Sequence, residues 1–556
     1  MIIAVTSNPL TPSSLISFNS VYRYWHTVRY LRPDQIFHQV RHRLIPPKFI
    51  TNVSYPAQPH GLKLVPWPSK NRSYFGGGRF RFLNQEKKLG WPINWEPPDS
   101  SSLWKYNLHY FDYLHQPAID FQDGLALIRS WIERHAAQKG NVGWEPYSSS
   151  LRLVNWIKFF SRYDTPPEDV LNSLLLQTIN LQRQVEYHLL GNHLFKNGKA
   201  LCFAGIFLGD KSIEELGCKI ILRELAEQFL PDGGHFELSP MYHSILLEDL
   251  LDLINLYRHN RPSHQILPPL REKAGRALGW LEEIIDSEGR IPLLNDASFG
   301  VASPWEDLKS YAQRLELSMD QNTMPKNRIG NWSGQNHSGY WVLKQGPFRL
   351  IFDAAPLGPD YLPGHSHCDM LSILLDFKGE NILTDTGVFE YEEGDRRQYV
   401  RSTSAHNTVT IDGLEQAELW KSFRVGRRGH PKGFRIEGQS LNCSHTGFNI
   451  WKKGLFHERT VSLLQNGFEL KDQVTGAGNH SFQAFFHFAP EVRIEKKDAG
   501  YLINDQLFLT PWGAEEKLKS SEYYPEFGKV QERPCLVMEG RFLDQAIFGL
   551  RCTYSS

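Results

Sequence analysis

The fold is decided by Tyr340-Trp-Val-Leu-Lys344, a turn at Gln345-Gly346-Pro347, and Phe348-Arg-Leu-Ile-Phe-Asp353. Two short runs rich in aromatic and branched residues around a Gly-Pro turn are typical of a β-hairpin. Before this hairpin the apolar residues recur every three or four positions, and from about residue 330 they recur every two. The sequence therefore predicts a helical part followed by a β part.

After the hairpin, further strands are predicted at Asp369–Phe377, Asn381–Asp385, Phe468–Val474, Ser481–Phe488 and Tyr501–Leu509. Turn residues separate these runs at regular intervals, which favours a β-sandwich. In the other direction, helices are predicted at Phe121–Lys139, Glu168–Leu190, Ser212–Leu230 and Met241–Tyr257. They indicate a long array of antiparallel helices.

These periods divide the chain into three regions. We expect an irregular and helical N-terminal region over residues 1–100, a helical domain over 101–325 and a β domain over 330–556, with a linker near 320–331. Residues 22–44 form a basic amphipathic stretch that contains Arg23, Arg29, Arg32, Arg41 and Arg43. Two interpretations are open: a helix that meets a membrane surface or a partner, and a packed helix whose charged side is solvated.

Charge, cysteine content and apolar runs limit the function classes. Lys and Arg number 61, as do Asp and Glu, so nothing favours a nucleic-acid partner. The six cysteines are scattered without a CxxC pair, so we expect free buried thiols. No run approaches about 18 apolar residues, so no transmembrane segment is expected. Residues 1–18 lack a basic segment followed by a long apolar stretch, so we expect no secretory signal.

Two motifs in the helical part carry polar groups at helix ends. Asn192 and His193 follow a predicted helix, where they can present an amide and an imidazole to a cleft, or where Asn192 can cap that helix. Tyr242, in Gly233-Gly-His-Phe-Glu-Leu-Ser-Pro-Met-Tyr-His243, falls in the first turn of the next helix. Its side chain points into a pocket or packs as an ordinary core aromatic.

Two further motifs lie in the β part. His365 and His367 are two residues apart and so share one side of a strand. His367, Asp385 and His406 offer two imidazoles and a carboxylate, a ligand set that suits zinc; the alternative is three hydrogen-bonded residues on neighbouring strands. The run from Tyr391 to Arg401 is locally basic and is either an anion site or a solvated loop.

The order of these motifs resembles the heparinase II/III-like family of polysaccharide lyases, and it is similar to the alginate and oligoalginate lyases built on the same plan. The resemblance rests on Asn-His, GGHFE-SPMYH, HSHCD, TDTG and STSAHNT and covers about residues 100–420. It implies an incomplete (α/α) toroid followed by an antiparallel β-sandwich, with a cleft between them. It also implies a bacterial cell envelope or periplasmic setting, which the absent export signal does not match. Relatives with such a basic N-terminal stretch resemble exopolysaccharide-biosynthesis proteins.

Residue by residue, the resemblance implies an acidic polysaccharide or oligosaccharide substrate and a site for it. Asn192 would neutralise the uronate carboxylate, His193 and Tyr242 would handle the proton, and His365 would join them. Structural zinc would be held by His367, Asp385 and His406. Arg401 would contact the substrate, and Arg152, Trp156 and Glu237 are further cleft candidates. An acidic residue is expected where Asn197 stands, which puts the contacts there in doubt.

The implied chemistry is β-elimination, which removes the C5 proton of a uronic acid and expels the C4 oxygen. The C5 proton becomes acidic only if the charge of the adjacent carboxylate is damped, and a base and an acid must stand near C5 and O4. The sequence leaves open whether Tyr242 is the base or the acid. Two alternatives are a polysaccharide-binding protein without turnover and a glycoside hydrolase that uses Glu237 with Glu145 or Asp360.

Overall fold

The computed structural model describes residues 18–53, 59–163, 165–317, 327–329, 332–334 and 337–554. The predicted linker near 320–331 lies outside these residues apart from a short strand at 327–329. The segment on which the prediction of no secretory signal rests, residues 1–18, also lies almost wholly outside them.

The described part of the chain begins with helices. They are α1 Phe18–Val28, α2 Pro33–Leu44, α3 Ser102–Tyr110, α4 Phe121–Arg134, α5 Pro146–Phe160, α6 Glu168–Arg183, α7 Gly191–Leu208, α8 Lys211–Gln228, α9 Pro240–Asn260, α10 Leu267–Ile284, α11 Trp305–Arg314 and, inside the β region, α12 Asp395–Arg401. Short 3₁₀ turns occur at Asp112–His115, Val142–Trp144, Thr403–Ala405 and Phe448–Ile450.

Strands dominate after residue 327, apart from one early hairpin. They are β1 Arg79–Phe82, β2 Gln85–Lys88, β3 Asn327–Ile329, β4 Trp332–Gly334, β5 Tyr340–Gln345, β6 Phe348–Asp353, β7 Ile373–Phe377, β8 Glu380–Leu383, β9 Val409–Ile411, β10 Ala417–Trp420, β11 Arg424–Arg428, β12 Pro431–Glu437, β13 Ser440–His445, β14 Phe456–Leu464, β15 Gly467–Thr475, β16 His480–His487, β17 Ile494–Lys497, β18 Gly500–Ile503, β19 Leu507–Trp512, β20 Glu515–Tyr523, β21 Gln531–Phe542 and β22 Gln545–Tyr554.

Helix α9 shows why the helical array forms. Ser239 precedes it and accepts a hydrogen bond from the backbone N–H of Tyr242, and Pro240 occupies the first helical position. Leu246, Leu250 and Ile254 recur on one side of the helix and are fully buried. Neighbouring helices α7, α10 and α11 pack around α9, so it lies in the interior of the array.

The strands form antiparallel sheets that pack into a sandwich. One sheet has the order β3-β4-β5-β6-β7-β8, a second β12-β13-β14-β15-β22-β19-β18-β17, and a third β20-β21-β16-β9. Buried side chains of all three, including Phe352, Leu470 and Met538, belong to one hydrophobic core. The prediction of an incomplete (α/α) toroid followed by an antiparallel β-sandwich is confirmed. The domain limits 1–100, 101–325 and 330–556 stay a prediction.

The six-stranded sheet that begins with β3 is buried on both faces. On β5, Tyr340 and Val342 join the core of the helical part, while Trp341 and Leu343 join the core of the sandwich. This alternation follows the two-residue period of a strand. Because both faces of the sheet are covered, β5 is a nearly continuous run of apolar residues.

Candidate active site

A cavity of about 490 Å³ lies between the helical array and the sandwich. Its helical wall carries Asn192, His193 and Tyr242, and its β wall carries His365 and aromatic side chains. The structure thus brings together, on one cavity, the four residues that the sequence predicts as catalytic. The β-wall aromatics are Tyr391, Phe423 and Phe527.

Asn192 lies in the first turn of α7, and the preceding helix α6 already ends at Arg183. Asn192 therefore does not cap that helix. Gly191 begins α7 with φ +58°, and a Cβ there would meet the carboxylate of Glu237 and the side chain of Leu362, each at 2.6 Å. Glycine is favoured here because a side chain would be strained by the left-handed backbone and would displace the ends of Glu237 and Leu362.

Glu237 stands behind Asn192 rather than on the cavity surface. The amide nitrogen of Asn192 lies 3.5 Å from each carboxylate oxygen of Glu237. Burial raises the pKa of Glu237, which favours its neutral form. The structure therefore assigns Glu237 a contact with Asn192, and it does not bring Glu237 among the residues that line the cavity.

His193 is oriented by a carboxylate from the preceding loop. Its Nδ1 lies 3.1 Å from Oε1 of Glu186, and its ring packs against Tyr147 with centroids 4.4 Å apart. Asn197 is fully buried and donates a 3.0 Å hydrogen bond to Oε2 of Glu186. Burial lowers the pKa of His193, so the neutral imidazole prevails near pH 7.

Tyr242 projects from α9 between two residues of the β wall. Its ring stacks on His365 with centroids 3.9 Å apart, and its hydroxyl lies 3.3 Å from the hydroxyl of Tyr391. Burial raises the pKa of Tyr242 well above its usual range. Tyr242 is therefore a phenol at neutral pH, and it suits the donor of a proton better than its acceptor.

His365 is held by Asp296, which the sequence analysis missed. Nδ1 of His365 donates to Oδ2 of Asp296 over 2.9 Å, and Nε2 of His367 donates to Oδ1 over 2.9 Å. The guanidinium of Arg397 binds both oxygens of the same carboxylate. Although burial opposes it, Arg397 with the two imidazoles lowers the pKa of Asp296 well below its usual value.

Three predicted substrate residues do not reach the cavity, which corrects that expectation. Arg152 is fully buried, lies 4.0 Å over the ring of Trp131 and donates to Gln177. Trp156 is likewise fully buried in the helical core. Arg401 is buried and donates to backbone carbonyl groups. Trp156 and the Trp131 ring under Arg152 belong to the helical core, so these two side chains point away from the cavity.

The predicted zinc ligands lie beside the site on loops of the sandwich, and His365 and His367 lie in the loop before β7 rather than on a strand as predicted. His367 donates its Nε2–H to Asp296, which leaves Nδ1 as a buried lone pair without a partner among the described residues. His406 donates its Nδ1–H to Asp385 over 2.9 Å, and its Nε2 is likewise buried without a partner there. The rings of His367 and His406 lie 5.3 Å apart.

A different cluster has its potential ligand atoms closest together within the described residues. In Glu96, His109 and His135 these atoms all lie within 4.8 Å of one another. Trp131 donates its indole N–H to Nδ1 of His109 over 3.1 Å. The proton of the neutral His109 ring is therefore on Nε2, the nitrogen that faces Glu96, and this arrangement does not suit a cation.

Three residues that were not predicted, Asp296, Glu186 and Tyr391, contact the predicted site residues from other parts of the chain. Asp296 follows Asn295 at the end of the apolar run Ile291-Pro-Leu-Leu294, and this polar pair was the available signal. Asn295 accepts a hydrogen bond from the backbone N–H of His367 over 2.8 Å. Glu186 and Tyr391 carried no comparable signal, because their partners lie on other elements.

Comparison with known proteins identifies the family. A model described as the heparinase II/III N-terminus matches residues 78–322, and one described as heparinase II/III-like, C-terminal, matches residues 333–541. A heparin-sulfate lyase of Bacteroides stercoris is 22% identical over 440 residues, which is 71% of this chain and 60% of the relative. One of Bacteroides thetaiotaomicron is 22% identical over 377 residues, 57% of this chain and 53% of the relative.

Solved structures share the fold. The crystal structure of a heparinase III superposes with a TM-score of 0.67 at 20% identity, covering 84% of this chain and 80% of that one. The heparan sulfate lyase of Pedobacter heparinus gives a TM-score of 0.53 at 17% identity, covering 86% and 82%. The match to the curated relatives spans a little over half of their length. Since the two family models together match most of the chain, it belongs to the heparinase II/III-like family.

Proposed function

We propose that the protein is a polysaccharide lyase that cleaves uronate-containing acidic polysaccharide by β-elimination. The observation that carries this proposal is that Asn192, His193, Tyr242 and His365 line one cavity between toroid and sandwich. The relatives named as heparin-sulfate lyases support the reaction type.

The uronate carboxylate is assigned to Asn192 and His365. The amide of Asn192 has two hydrogens, of which one is directed at Glu237 and the other is available to a carboxylate oxygen. Glu237 in its neutral form, which burial favours, adds no negative charge behind this position. Because these contacts stabilise the negative charge of the substrate carboxylate, the C5 proton becomes easier to remove.

The proton transfers are assigned to His193 and Tyr242. Neutral His193, whose ring is oriented by Glu186, takes the proton from C5. Tyr242, a phenol because of its burial, gives its proton to the C4 oxygen as the C4–O4 bond breaks. The electron pair of the broken C5–H bond forms the C4–C5 double bond, so the product is an unsaturated uronate.

One assay separates a lyase from the alternatives. Purified protein is incubated with alginate, heparan sulfate, chondroitin sulfate, hyaluronan and bacterial acidic exopolysaccharide. The proposal expects a new ultraviolet absorbance from the unsaturated uronate on at least one of them. New reducing ends without that absorbance would indicate a hydrolase, and binding without any product would indicate a polysaccharide-binding protein.

A structural zinc ion bound by His367 and His406, with Asp385 as the carboxylate that orients the His406 ring, is part of the same proposal. The buried lone pair on Nδ1 of His367, with Nε2 donating to Asp296, is the form in which histidine binds metals. His406 offers a second unpartnered nitrogen within the described residues, and Asp385 fixes its ring. Bound zinc would cross-link the loop before β7 to the segment before β9.

Elemental analysis tests this ion independently of turnover. The wild-type protein should contain about one zinc per chain, and His367→Ala should lose it. A chelator should lower the Tm of the wild-type protein and leave that of His367→Ala unchanged. Zinc-free wild-type protein with an unaltered Tm in added zinc would refute the site.

A further inference from the structure

Helix α2 packs on the body of the protein through its polar side. Gln35, His38, Gln39 and His42 recur at helical spacing on that side. Gln35 donates its side-chain N–H to the carbonyl of Tyr361 and Gln39 to the carbonyl of His188, each over 3.2 Å. The rings of His42 and His188 stack with centroids 4.4 Å apart. The interface of α2 is thus made of hydrogen bonds and imidazole rings.

The apolar side of α2 faces water. Ile36, Phe37, Val40 and Leu44 form this side, and Phe37 is 61% and Leu44 76% exposed. A helix on the surface of a globular protein normally turns its apolar side inward, because burial removes that area from water. In α2 the two sides are reversed, so the helix presents an apolar surface that the rest of the fold does not cover.

Helix α1 shows the same exposure next to it along the chain. Val21, Trp25 and Val28 lie one helical turn apart, and Trp25 is 62% exposed. The helix is held in place from another side, where Arg23 forms an ion pair with Glu418 over 3.2 Å. The exposed apolar residues are therefore part of a fixed surface.

The same segment is strongly basic. Residues 21–48 contain Arg23, Arg29, Arg32, Arg41, Arg43 and Lys48, and one acidic residue, Asp34. Arg23 and Arg32 pair with Glu418 and Glu227 of the body, and Asp34 pairs with Arg223. Among the described residues, Arg41 and Arg43 make no ion pair, so their charges are left for a partner outside the fold.

We infer that α1 and α2 form a docking surface for the headgroup region of an anionic lipid membrane. Exposed Trp, Phe and Leu side chains beside unpaired arginines are what a helix lying in the plane of such an interface requires. A second copy of the chain fits less well as the partner. A two-fold contact brings the same surface of two copies together, so Arg41 and Arg43 of one copy would lie near Arg41 and Arg43 of the other. No helix in the described ranges is long and apolar enough to cross a membrane.

Vesicle flotation of the full chain tests this inference. The protein is mixed with vesicles of phosphatidylcholine alone or of phosphatidylcholine with phosphatidylglycerol, at low and at high salt. We expect binding to the anionic vesicles at low salt and its loss at high salt, since salt screens exposed charges. Absence of binding to the anionic vesicles at low salt would overturn the inference.

Two double variants separate the charge and the apolar contributions. Arg41→Gln with Arg43→Gln should weaken partition by about 25-fold, at about fivefold per charge near an anionic surface. Phe37→Ser with Leu44→Ser should weaken it by more than about tenfold. All four residues are exposed, so the fold should tolerate the changes.

Matched controls use equally exposed residues elsewhere. Leu543→Ser removes an apolar side chain that is 68% exposed, and Arg493→Gln removes an exposed arginine of the sandwich. Both should leave partition unchanged, and an equal loss in the controls would overturn the inference. Two other results would also overturn the inference, because each identifies another occupant of the surface. One is a dimer that the variant Phe37→Ser with Leu44→Ser dissociates, and the other is vesicle binding that appears only after residues 1–17 are deleted.

Discussion

Asp296 accepts hydrogen bonds from residues of two predicted sites, the cavity and the zinc site. Its two oxygens accept hydrogen bonds from His365, His367 and Arg397, and it is fully buried. Since His365 lines the cavity and His367 is a predicted zinc ligand, one side chain fixes the ring orientation of both. In the sequence, no more than the polar pair Asn295-Asp296 signals this residue, because its partners follow it by about 70–100 positions.

Replacing Asp296 by Asn should destabilise the protein strongly. The variant leaves the buried guanidinium of Arg397 without its counter-charge, which costs about 3–5 kcal/mol. Urea unfolding measures the loss. Asp505→Asn, which breaks an exposed pair with Arg493, serves as the control and should cost less than about 1 kcal/mol. Equal losses in the two variants would contradict the proposed position of Asp296.

Tyr242→Phe should abolish turnover and preserve the fold. It removes the proton donor to the leaving oxygen, a contribution of about 10²–10⁴-fold in kcat. The control is Tyr113→Phe, which removes a fully buried hydroxyl that donates to the carbonyl of Leu108 and does not line the cavity. If Tyr242→Phe kept full activity with normal unfolding behaviour, Tyr242 would have no part in proton transfer.

The acid limb of the pH profile should report His193. Burial lowers the pKa of His193 from 6.5, and Glu186 acts in the opposite direction. As the base must be neutral, kcat/KM should fall only when the pH drops below this lowered value. Glu186→Gln should move the limb to still lower pH. A limb at or above pH 6.5 in the wild-type protein would exclude His193 as the base.

At the scale of elements, the sequence predicted which segments are helices and strands better than where they end. The predicted helix Glu168–Leu190 ends at Arg183, and the seven residues after it form the loop that carries Glu186. The predicted strand Tyr501–Leu509 is two strands, β18 and β19. Asn504 and Asp505 both have positive φ and make the tight turn between them.

The start of α7 yields a prediction about a single methyl group. Gly191→Ala should cost about 1–2 kcal/mol for its left-handed backbone and should also displace Glu237, which its Cβ would meet at 2.6 Å. Gly438→Ala is the control. Gly438 also has a positive φ, of +59°, but a Cβ there would meet no atom within 4 Å, so this variant carries the backbone cost alone. We expect kcat/KM to fall in Gly191→Ala alone. Equal activity in both would show that the position of Glu237 does not matter.

For the whole molecule, the hydrophobic period predicted a helical array followed by a β-sandwich, and the family resemblance implied that the array is a toroid. Neither predicted the joint core of the two parts. Tyr340, Val342 and Ile351 pack among helices although they belong to strands. A hydrophobic period states which residues share a side of a strand, and it does not state which layer covers that side. The family resemblance implied the cleft between the two parts, but the hydrophobic period did not state which side chains line it.

The shared sheet predicts joint unfolding. Separation of the helical part from the sandwich would expose the side of β5 that carries Tyr340 and Val342. Calorimetry of the full chain should therefore show a single transition, also seen at the same temperature by circular dichroism in the helical and aromatic ranges. Two transitions well separated in temperature would show that the two parts are stable independently.

The double burial of that sheet also ties together the two parts of the molecule that carry the cavity walls. The described strands β3–β8 do not line the cavity themselves, but they pack on both the helical core and the sandwich core. Forcing the walls apart would bring apolar area into water at about 25 cal/mol per Å². For the proposed polysaccharide substrate, we therefore expect the thickness of the chain and its branches to limit entry more than the length of the chain does.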